Sequence, residues 1–141
     1  MGYDCLKLDN QLCFPLYAAA KKVVSLYEPF LKPLHLTYTQ YIVLLVLWEE
    51  DEINVKALGE RIYLDSGTLT PLLRKLEKKS LIRRLKNPSD QRNLIIQLTK
   101  EGHLLEEEAK TIPAKVGSCL SLSEKDAVEL YRLTHLVLAR R

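Results

Sequence analysis

Residues 64–84 read LDSGTLTPLLRKLEKKSLIRR, and they carry the clearest structural signal in the chain. Its inner leucines recur at i, i+3, i+4 and i+7, the spacing of a helix that buries one face. These leucines are Leu69, Leu72, Leu73 and Leu76. An Asp-Ser-Gly turn at 65–67 precedes them, and lysines and arginines occupy the opposite side. The stretch therefore predicts an amphipathic helix with a basic outer face.

Shorter elements on either side complete a recognisable unit. Before the turn, Asn54 is followed by Val55, Leu58 and Ile62 at helical spacing, which predicts a short helix. After the helix, segments 81–86 and 94–98 predict two strands, and a polar loop joins them. Helix, turn, helix and hairpin is the order of a winged helix-turn-helix, whose second helix enters the major groove of DNA.

A longer helix is predicted at the start of the chain. Residues 8–31 carry apolar side chains along one side. Pro15 interrupts this pattern and predicts either a kink or a late helix start near Cys13, because proline removes a backbone donor. Pro29 and Pro33 are expected to close the segment.

Side-chain caps mark the starts of three further helices. Thr37 and Gln40 match a capping box, and the helix that follows is apolar on every side, so we expect it to be buried. Thr99 predicts the start of a long helix that ends near residue 118, with a kink at Pro113. Ser123 predicts the start of the last helix. The predicted fold class is mainly α with a small β-hairpin wing.

Composition fits a single globular domain, 1–141. Hydrophobic residues make up 47% of the chain and charged residues 28%. No apolar run reaches the ~18 residues that span a bilayer, and residues 1–10 lack the apolar stretch of a signal peptide, so we expect a cytoplasmic location and no membrane association. The three cysteines are too few for a disulfide scaffold and the three histidines are far apart in sequence, so no metal or other cofactor is expected.

Positive charge is concentrated in the predicted reading helix and hairpin. The whole chain has a formal net charge of +3, whereas residues 74–92 contain eight basic and two acidic side chains. Arg74 could pair with a guanine through two hydrogen bonds, and arginine in the hairpin suits a narrow minor groove. An ordinary solvated helix face and hairpin would carry similar charge, and this alternative stays open on charge alone.

Pro71 allows two predictions for where the reading helix starts. If Ser66 is the N-cap, Pro71 falls in the second turn and removes a hydrogen bond. If the regular helix begins nearer Thr68, Pro71 lies in the first turn and removes none.

Three stretches make the chain resemble a known family. LDSGTLTPLLRKLEKKSLIRR at 64–84, followed by SDQRNLIIQLTKEG at 89–102, resembles the multiple antibiotic resistance regulator (MarR) family. NQLCFPLY at 10–17 resembles its organic hydroperoxide resistance regulator (OhrR) branch, which includes staphylococcal redox-sensing members. The resemblance covers nearly the whole chain.

The resemblance implies a transcription regulator and not an enzyme. Such a protein is a homodimer that represses from pseudo-palindromic double-stranded DNA, with dimerisation helices at about 8–32 and 100–141 and a DNA-binding lobe at about 53–98. The lobe's reading helix would enter the major groove and its wing the minor groove, with Asp90 orienting Arg92. The implied DNA contacts are Ser66, Thr68, Thr70, Pro71, Arg74, Lys75, Arg84, Lys86, Asp90 and Arg92.

The resemblance also implies a reactive thiol at Cys13, with thiol-contacting tyrosines at Tyr17, Tyr27 and Tyr38. Tyr17 lies one helical turn after Cys13 if the helix is continuous. Tyr27 lies ~21 Å along the same helix, too far to touch Cys13 of its own chain. It could do so across a two-fold interface, which would make the sensor a property of the dimer.

An organic hydroperoxide or hydrogen peroxide would oxidise Cys13 to a sulfenic acid, which a second thiol can resolve as a disulfide. The resemblance implies that this second thiol is Cys119 of the partner chain, and that the bond releases the DNA. The residues alone equally allow both cysteines to be small buried hydrophobes. Pro15 departs from the aliphatic or small residue expected there, so a kink could move Cys13.

Three other functions compete with redox sensing. A regulator of the same family could respond to a small aromatic ligand in the dimer cleft, with silent cysteines. A thiol peroxidase would need a turnover site, and no arginine lies near Cys13 in sequence. A protein-interaction module that does not bind DNA would show no salt-sensitive binding to a duplex.

Overall fold

The computed structural model describes residues 2–90 and 92–139, and within them the chain forms seven α-helices and three β-strands. The helices are α1 (Cys13–Leu31), α2 (Tyr38–Glu49), α3 (Val55–Ile62), α4 (Ser66–Lys78), α5 (Lys100–Ala109), α6 (Ile112–Cys119) and α7 (Glu124–Leu138). The strands are β1 (Ile53–Asn54), β2 (Ile82–Lys86) and β3 (Leu94–Leu98). Single 3-10 turns lie at Asp4–Leu6, Leu8–Asn10 and Lys32–Leu34. This confirms the predicted fold class.

The three strands form one antiparallel sheet in the order β1–β3–β2. In the hairpin, Ile82 lies opposite Leu98 and Arg84 lies opposite Ile96, while Ile53 of β1 pairs with the other side of Ile96. The sequence pattern predicts both hairpin strands to within one residue. It does not predict β1, because this strand has only two residues and exists through its pairing with β3.

The core lies between α2, α4 and the sheet. Val43, Leu44 and Leu47 of α2 are at most 1% exposed, which confirms that this helix is buried. They share one apolar cluster with Leu31 at the end of α1 and Val116 of α6. The four leucines of the α4 stripe are all buried in the same cluster: Leu69, Leu72, Leu73 and Leu76.

Side-chain caps begin the helices where the sequence predicts them. Thr37 Oγ1 accepts a hydrogen bond from the Gln40 N–H, and Gln40 Oε1 accepts one from the Thr37 N–H, so the capping box is complete. Asn54 caps α3, Thr99 caps α5 and Ser123 caps α7. Each such cap typically adds ~1 kcal/mol of stability.

Pro15 and Pro29 lie near the two ends of α1. Pro15 is the third residue of the helix, where no intrahelical bond is lost, so the late start near Cys13 is confirmed. α1 ends at Leu31, between Pro29 and Pro33, which confirms the predicted end of the segment, and Pro29 itself lies inside the last turn. Pro29 deprives the Ser25 carbonyl of its helical donor, but Ser25 is exposed and water can replace that donor.

The long helix predicted from Thr99 to about residue 118 is two helices. α5 ends at Ala109, α6 begins at Ile112, and Pro113 is the second residue of α6. Pro113 has no N–H to donate to the Ala109 carbonyl, so the chain starts a new helix instead of bending one.

α7 contains no buried residue, although much of it is apolar. Val128, Tyr131, Leu136 and Val137 are each 60–67% exposed. At the other end of the chain, Leu12 is 88% exposed. Exposed apolar surface on this scale marks an interaction face.

Among the described residues, no single helix is long and apolar enough to cross a membrane. One bent pair, Cys13–Leu34 with α2, meets the requirement on length and composition alone, with 74° between its two parts. Half of that pair is the buried core helix described above.

Candidate DNA-binding surface and thiol site

A tight turn joins α3 to α4. Tyr63 ends α3 with a left-handed φ of 59°, and the Leu64 N–H donates to the Gly59 carbonyl at 3.0 Å. A Cβ on Gly59 would stand 2.7 Å from the Leu64 carbonyl oxygen, so this helix pair requires glycine there. Asp65 then caps α4 by accepting a hydrogen bond from the Thr68 N–H at 2.9 Å. The pair is therefore held in a fixed helix-turn-helix geometry.

Pro71 lies in the second turn of α4, for a reason that neither sequence alternative contained. The N-cap is Asp65, so α4 begins at Ser66 and not near Thr68. Pro71 is the sixth helical residue and leaves the Gly67 carbonyl without its helical donor. Gly67 is exposed, which lets solvent or a ligand satisfy that oxygen.

The outer face of α4 carries the predicted contact residues together. Ser66, Thr68, Pro71, Arg74 and Lys75 are exposed, and Thr70 is half-buried at the edge of the leucine stripe. Hydroxyls near the start of the helix lie at the positive end of its dipole, where phosphate oxygens bind well.

The tip of the wing is shaped by hydrogen bonds of Asp90. Its Oδ1 accepts from the Arg92 N–H at 3.0 Å, and its carbonyl accepts from the Asn93 N–H at 3.1 Å. Asp90 therefore holds the backbone on which the exposed Arg92 side chain is mounted. Lys86, at the end of β2, is also exposed.

Arg84 points toward α4 and not outward from the wing. Its Nη2 donates to Glu77 Oε1 at 2.9 Å, while its Nε and its backbone N–H each donate to Glu77 Oε2 at 3.2 Å. Hydrogen bonding from Arg84 lowers the pKa of the Glu77 carboxyl, and the same bond raises the pKa of the guanidinium. We therefore assign Arg84 to fixing the wing against α4 and no longer count it as a DNA contact.

Lys79 is the second basic residue that turns inward. Its Nζ donates to Gln40 Oε1 at 2.7 Å and also to the His35 carbonyl. The other six basic side chains of the 74–92 segment are exposed on α4 and the wing: Arg74, Lys75, Lys78, Arg83, Lys86 and Arg92. This segment still presents a basic surface, although Arg84 and Lys79 form hydrogen bonds within the protein.

The structure exposes both thiols of interest. Cys13 is the first residue of α1, and the preceding Leu12 offers no side-chain cap to the free N–H groups of the helix. Cys119 ends α6, where its Sγ donates to the Lys115 carbonyl at 3.4 Å. The alternative that these cysteines are buried core residues is wrong for the described chain.

The predicted thiol-contacting tyrosines fall into two groups. Tyr17 is exposed one turn after Cys13, with Lys21 Nζ 5.3 Å from its ring centroid. The rings of Tyr27 and Tyr38 pack together at 4.7 Å near the other end of α1. The rise of the helix places Tyr27 ~15 Å from Tyr17 and ~21 Å from Cys13 along α1.

Tyr41 joins the second group and was missed by the sequence analysis. Its ring lies 5.6 Å from that of Tyr27 and 6.3 Å from that of Tyr38. Burial raises the pKa of Tyr27 and Tyr38, and raises that of Tyr41 to about 12. All three are therefore neutral phenols at pH 7. The i, i+3 spacing of Tyr38 and Tyr41 was the available signal.

Among the residues that the structure describes, no cluster of His, Cys, Asp or Glu side chains could hold a metal ion.

The fold and the basic surface define a winged-helix DNA-binding protein. Residues 36–94 match the MarR family. The organic hydroperoxide resistance transcriptional regulator of Bacillus subtilis is 46% identical over 131 residues, which is 93% of this chain and 87% of the relative. The regulator SarZ of Staphylococcus aureus is 44% identical over 87% of this chain and 83% of its own.

The chain belongs to the MarR family and is a transcriptional regulator of that type. This confirms the expectation of a regulator rather than an enzyme.

Solved structures agree with this assignment. Reduced AbfR bound to DNA has a TM-score of 0.81 and 34% identity, covering 99% of this chain and 95% of that one. AbfR, a Staphylococcus epidermidis protein, is also known in a disulfide-formed state. That state matches with a TM-score of 0.66 at 39% identity, covering 92% of each chain.

Proposed function

We propose that this regulator is a dimeric, DNA-binding repressor that releases its operator when Cys13 is oxidised. The proposal has three parts: how the chain meets DNA, how two copies pair, and how the thiol reports an oxidant. A regulator of this kind would work in the cytoplasm.

DNA binding rests on the exposed residues of α4 and the wing. α4 would enter the major groove with Arg74 and Lys75 toward bases and phosphates, and Arg92 would enter the minor groove. The remaining contacts would come from the start of α4 and from the wing: Ser66, Thr68, Thr70, Pro71, Lys86 and Asp90. Arg84 supports this surface through Glu77.

Dimerisation rests on apolar surface that a single chain leaves uncovered. α7 has no buried residue and α1 has only Leu31. A two-fold interface between these helices of two copies would cover both. Two reading heads would then face a pseudo-palindromic operator, with half-sites spaced by about 34–36 Å or a multiple of it.

The position of Cys13 is the observation that carries the proposal. Its exposed thiol belongs to the first residue of α1, where Leu12 provides no side-chain cap, so a hydroperoxide in solvent can reach the sulfur. Tyr17 lies one turn away as a phenol donor. Tyr27 and Tyr38 can reach this thiol only from a second chain, so the complete sensor requires the dimer.

In the oxidation step, the Cys13 thiolate attacks the outer oxygen of a hydroperoxide and the O–O bond breaks. The alkoxide, or hydroxide from hydrogen peroxide, leaves and takes a proton from solvent to become the alcohol or water. Sulfur is thereby oxidised by two electrons to a sulfenic acid. The thiolate of Cys119 in the partner then attacks that sulfur, an S–S bond forms, and the S–O bond breaks. The hydroxide that leaves takes a proton from solvent and becomes water.

The relatives support this chemistry by what their names say of them. One is a regulator of organic hydroperoxide resistance, and AbfR has a disulfide-formed state. The chain is more similar to reduced AbfR on DNA than to disulfide-formed AbfR, with TM-scores of 0.81 and 0.66. The described conformation therefore suits the DNA-bound end of the proposed cycle.

The test uses a duplex selected by the wild-type protein from a random pool, called the selected duplex below. Reduced protein is titrated with cumene hydroperoxide, and binding is followed by fluorescence anisotropy and by non-reducing electrophoresis. We expect release of the duplex together with a covalent dimer. Cys13→Ser should abolish both, Cys119→Ser should abolish the covalent dimer, and Cys5→Ser should change neither.

Two outcomes would reject parts of the proposal. Unchanged duplex binding after complete oxidation of Cys13 would reject redox release. A covalent dimer that survives in Cys119→Ser would reject this pairing.

An open groove favours a second candidate function. A groove of about 550 Å³ lies where α1 meets α2, beside Val24, Leu36 and Tyr38. A small aromatic ligand there could shift the same helices without any cysteine. This function would be favoured over the first if salicylate released the selected duplex equally from wild type and from a variant without cysteines. Hydroperoxide should then release no duplex from the wild-type protein.

A further inference from the structure

Lys79 connects the end of the reading helix to the corner between α1 and α2. It is the residue directly after α4, and its Nζ donates to Gln40 Oε1 at 2.7 Å and to the His35 carbonyl. Both acceptors are uncharged, and within the described residues no carboxylate forms an ion pair with Lys79. Desolvation, with a smaller contribution from the charge of Lys75, lowers the pKa of this ammonium group.

The two acceptors belong to the backbone frame of that corner. Gln40 is only 3% exposed, and its Oε1 also accepts the Thr37 N–H of the capping box at 3.2 Å. His35 has a left-handed φ of 56° and ends the turn that follows α1. A displacement of either residue would therefore move the site where Lys79 is attached.

The tyrosine pair lies on the same corner. Tyr38 directly follows Thr37 and is the first residue of α2, and its ring packs on Tyr27 of α1. A shift of Tyr38 toward or away from a thiol would alter the capping box beside it. Through Gln40, that change reaches Lys79 and the end of α4.

The core contacts between α2 and α4 cannot supply the same signal. The packed leucines of α4 hold the two helices together and resist displacement, because well-packed interiors are stiff. Hydrogen bonds of one exposed lysine can break and form again at little cost. The hydrogen bonds of Lys79 can therefore switch, while the leucine packing between α2 and α4 stays in place.

We infer that Lys79 is a positioning residue that couples the tyrosine pair to the reading helix, so that oxidation at the thiol site alters the pose of α4 on DNA. The inference rests on the proposed function and names the route by which its signal travels. It assigns Gln40 and His35 as the acceptors of that coupling.

The test compares Lys79→Met with Lys78→Met, which removes the same charge one residue earlier. Dissociation constants for the selected duplex are measured for each protein in the reduced and the hydroperoxide-oxidised state. The ratio of the two constants is the release factor. We expect Lys78→Met to keep the wild-type release factor and Lys79→Met to reduce it at least ~5-fold, the lower end of usual allosteric coupling.

Two further variants separate coupling from simple stabilisation. Lys79→Arg keeps a charged donor and should retain most of the release factor. Gln40→Leu should reduce the factor as Lys79→Met does, and the double variant should reduce it no further, because both remove one connection. Melting temperatures of all variants are recorded alongside, since a purely structural role would lower stability and leave the release factor unchanged.

The contradicting results are distinct. If wild type is released on oxidation and Lys79→Met is released by the same factor, the coupling role is refuted while the proposed function stands. If wild type with oxidised Cys13 is not released at all, the proposed function fails and the coupling inference fails with it.

Discussion

Gly102 of α5 lies against the carbonyl oxygen of Leu81, so closely that a Cβ on this glycine would overlap that oxygen. The same Cβ would stand 2.9 Å from Leu98 Cδ2. The carbonyl of Gly102 accepts the indole N–H of Trp48 at 2.9 Å. One glycine therefore holds the start of α5, the root of the wing and α2 in contact.

Gly102→Ala should destabilise the protein by about 3 kcal/mol or more, because backbone must move to admit the methyl group. Gly117→Ala in α6 is the matched control, since a Cβ there meets nothing within 4 Å. That control should be neutral or stabilising by up to ~1 kcal/mol. Urea unfolding of both variants checks the prediction, and equal stabilities would contradict it.

Glu77→Gln should loosen the wing from α4 and lower stability at pH 7 by about 0.5–1 kcal/mol, a value that reflects partial solvent screening of the pair. Arg84 holds the folded-state pKa of Glu77 below the ordinary 4.5. The pair's stabilisation is therefore full above pH 4.5 and is lost as pH falls through the lower folded pKa. Urea unfolding at pH 7 and at pH 3 should show the difference between variant and wild type shrinking with acidification.

A suitable comparison for that experiment is Glu107→Gln. Glu107 pairs with Lys110 on an exposed face, with a side chain that is 76% exposed. Its substitution should change stability by less than the measurement error at either pH. A difference for Glu77→Gln that persists unchanged at pH 3 would rule out the ion pair as its cause.

Arg74→Ala and Arg92→Ala should each weaken binding to the selected duplex and reduce its salt dependence. Each phosphate contact contributes ~0.9 to the slope of log K against log salt, and a dimer loses two contacts per substitution. Lys110→Ala removes one positive charge at the junction of α5 and α6 and should leave the slope unchanged. Equal slopes of log K against log salt for all three variants would exclude Arg74 and Arg92 from the DNA-binding surface.

Leu136→Glu should separate the proposed dimer into monomers, because it puts a charge in the exposed apolar face of α7. Lys125→Glu changes charge on the first turn of the same helix and should leave the dimer intact. Sedimentation equilibrium over a range of protein concentrations measures both. A dimer of undiminished affinity in Leu136→Glu would exclude α7 from the interface.

Tyr41→Phe should protect the protein against alkaline unfolding. An unfolded tyrosine ionises near 10.0, whereas Tyr41 keeps its proton to about 12 in the folded chain. Stability contributed by the neutral phenol is therefore complete below pH 10 and is lost as pH rises through 12, by about 2 kcal/mol. Urea unfolding at pH 9 and pH 11 should show a smaller loss for Tyr41→Phe than for wild type, and Tyr3→Phe should behave as wild type.

Local signals in the sequence predict most of the fold. The leucine stripe of α4 and the caps at Thr37, Asn54 and Ser123 depend on residues within one or two turns, so a short window contains the full information. The break between α5 and α6 is harder, because Pro113 is compatible with both a kink and a new start.

Long-range contacts account for what the sequence did not predict about the site. Lys79 binds Gln40, a residue 39 positions away, and no local pattern distinguishes it from the exposed Lys78. Arg84 turns inward because β2 passes beside Glu77 of α4. The count of basic residues therefore included Lys79 and Arg84 in the DNA-binding surface. In the tertiary structure their hydrogen bonds to Gln40 and Glu77 connect them to α2 and α4 instead.

The absence of any buried residue in α7 has a consequence for how the protein comes into being. A fifteen-residue helix with no buried residue gains too little from its own hydrogen bonds to stay ordered in water. If two copies pair through α7 as proposed, a newly made chain would order this helix only on meeting a second one. The cellular concentration of the chain would then set how much dimer forms. A low concentration alone would relieve repression of the regulated genes.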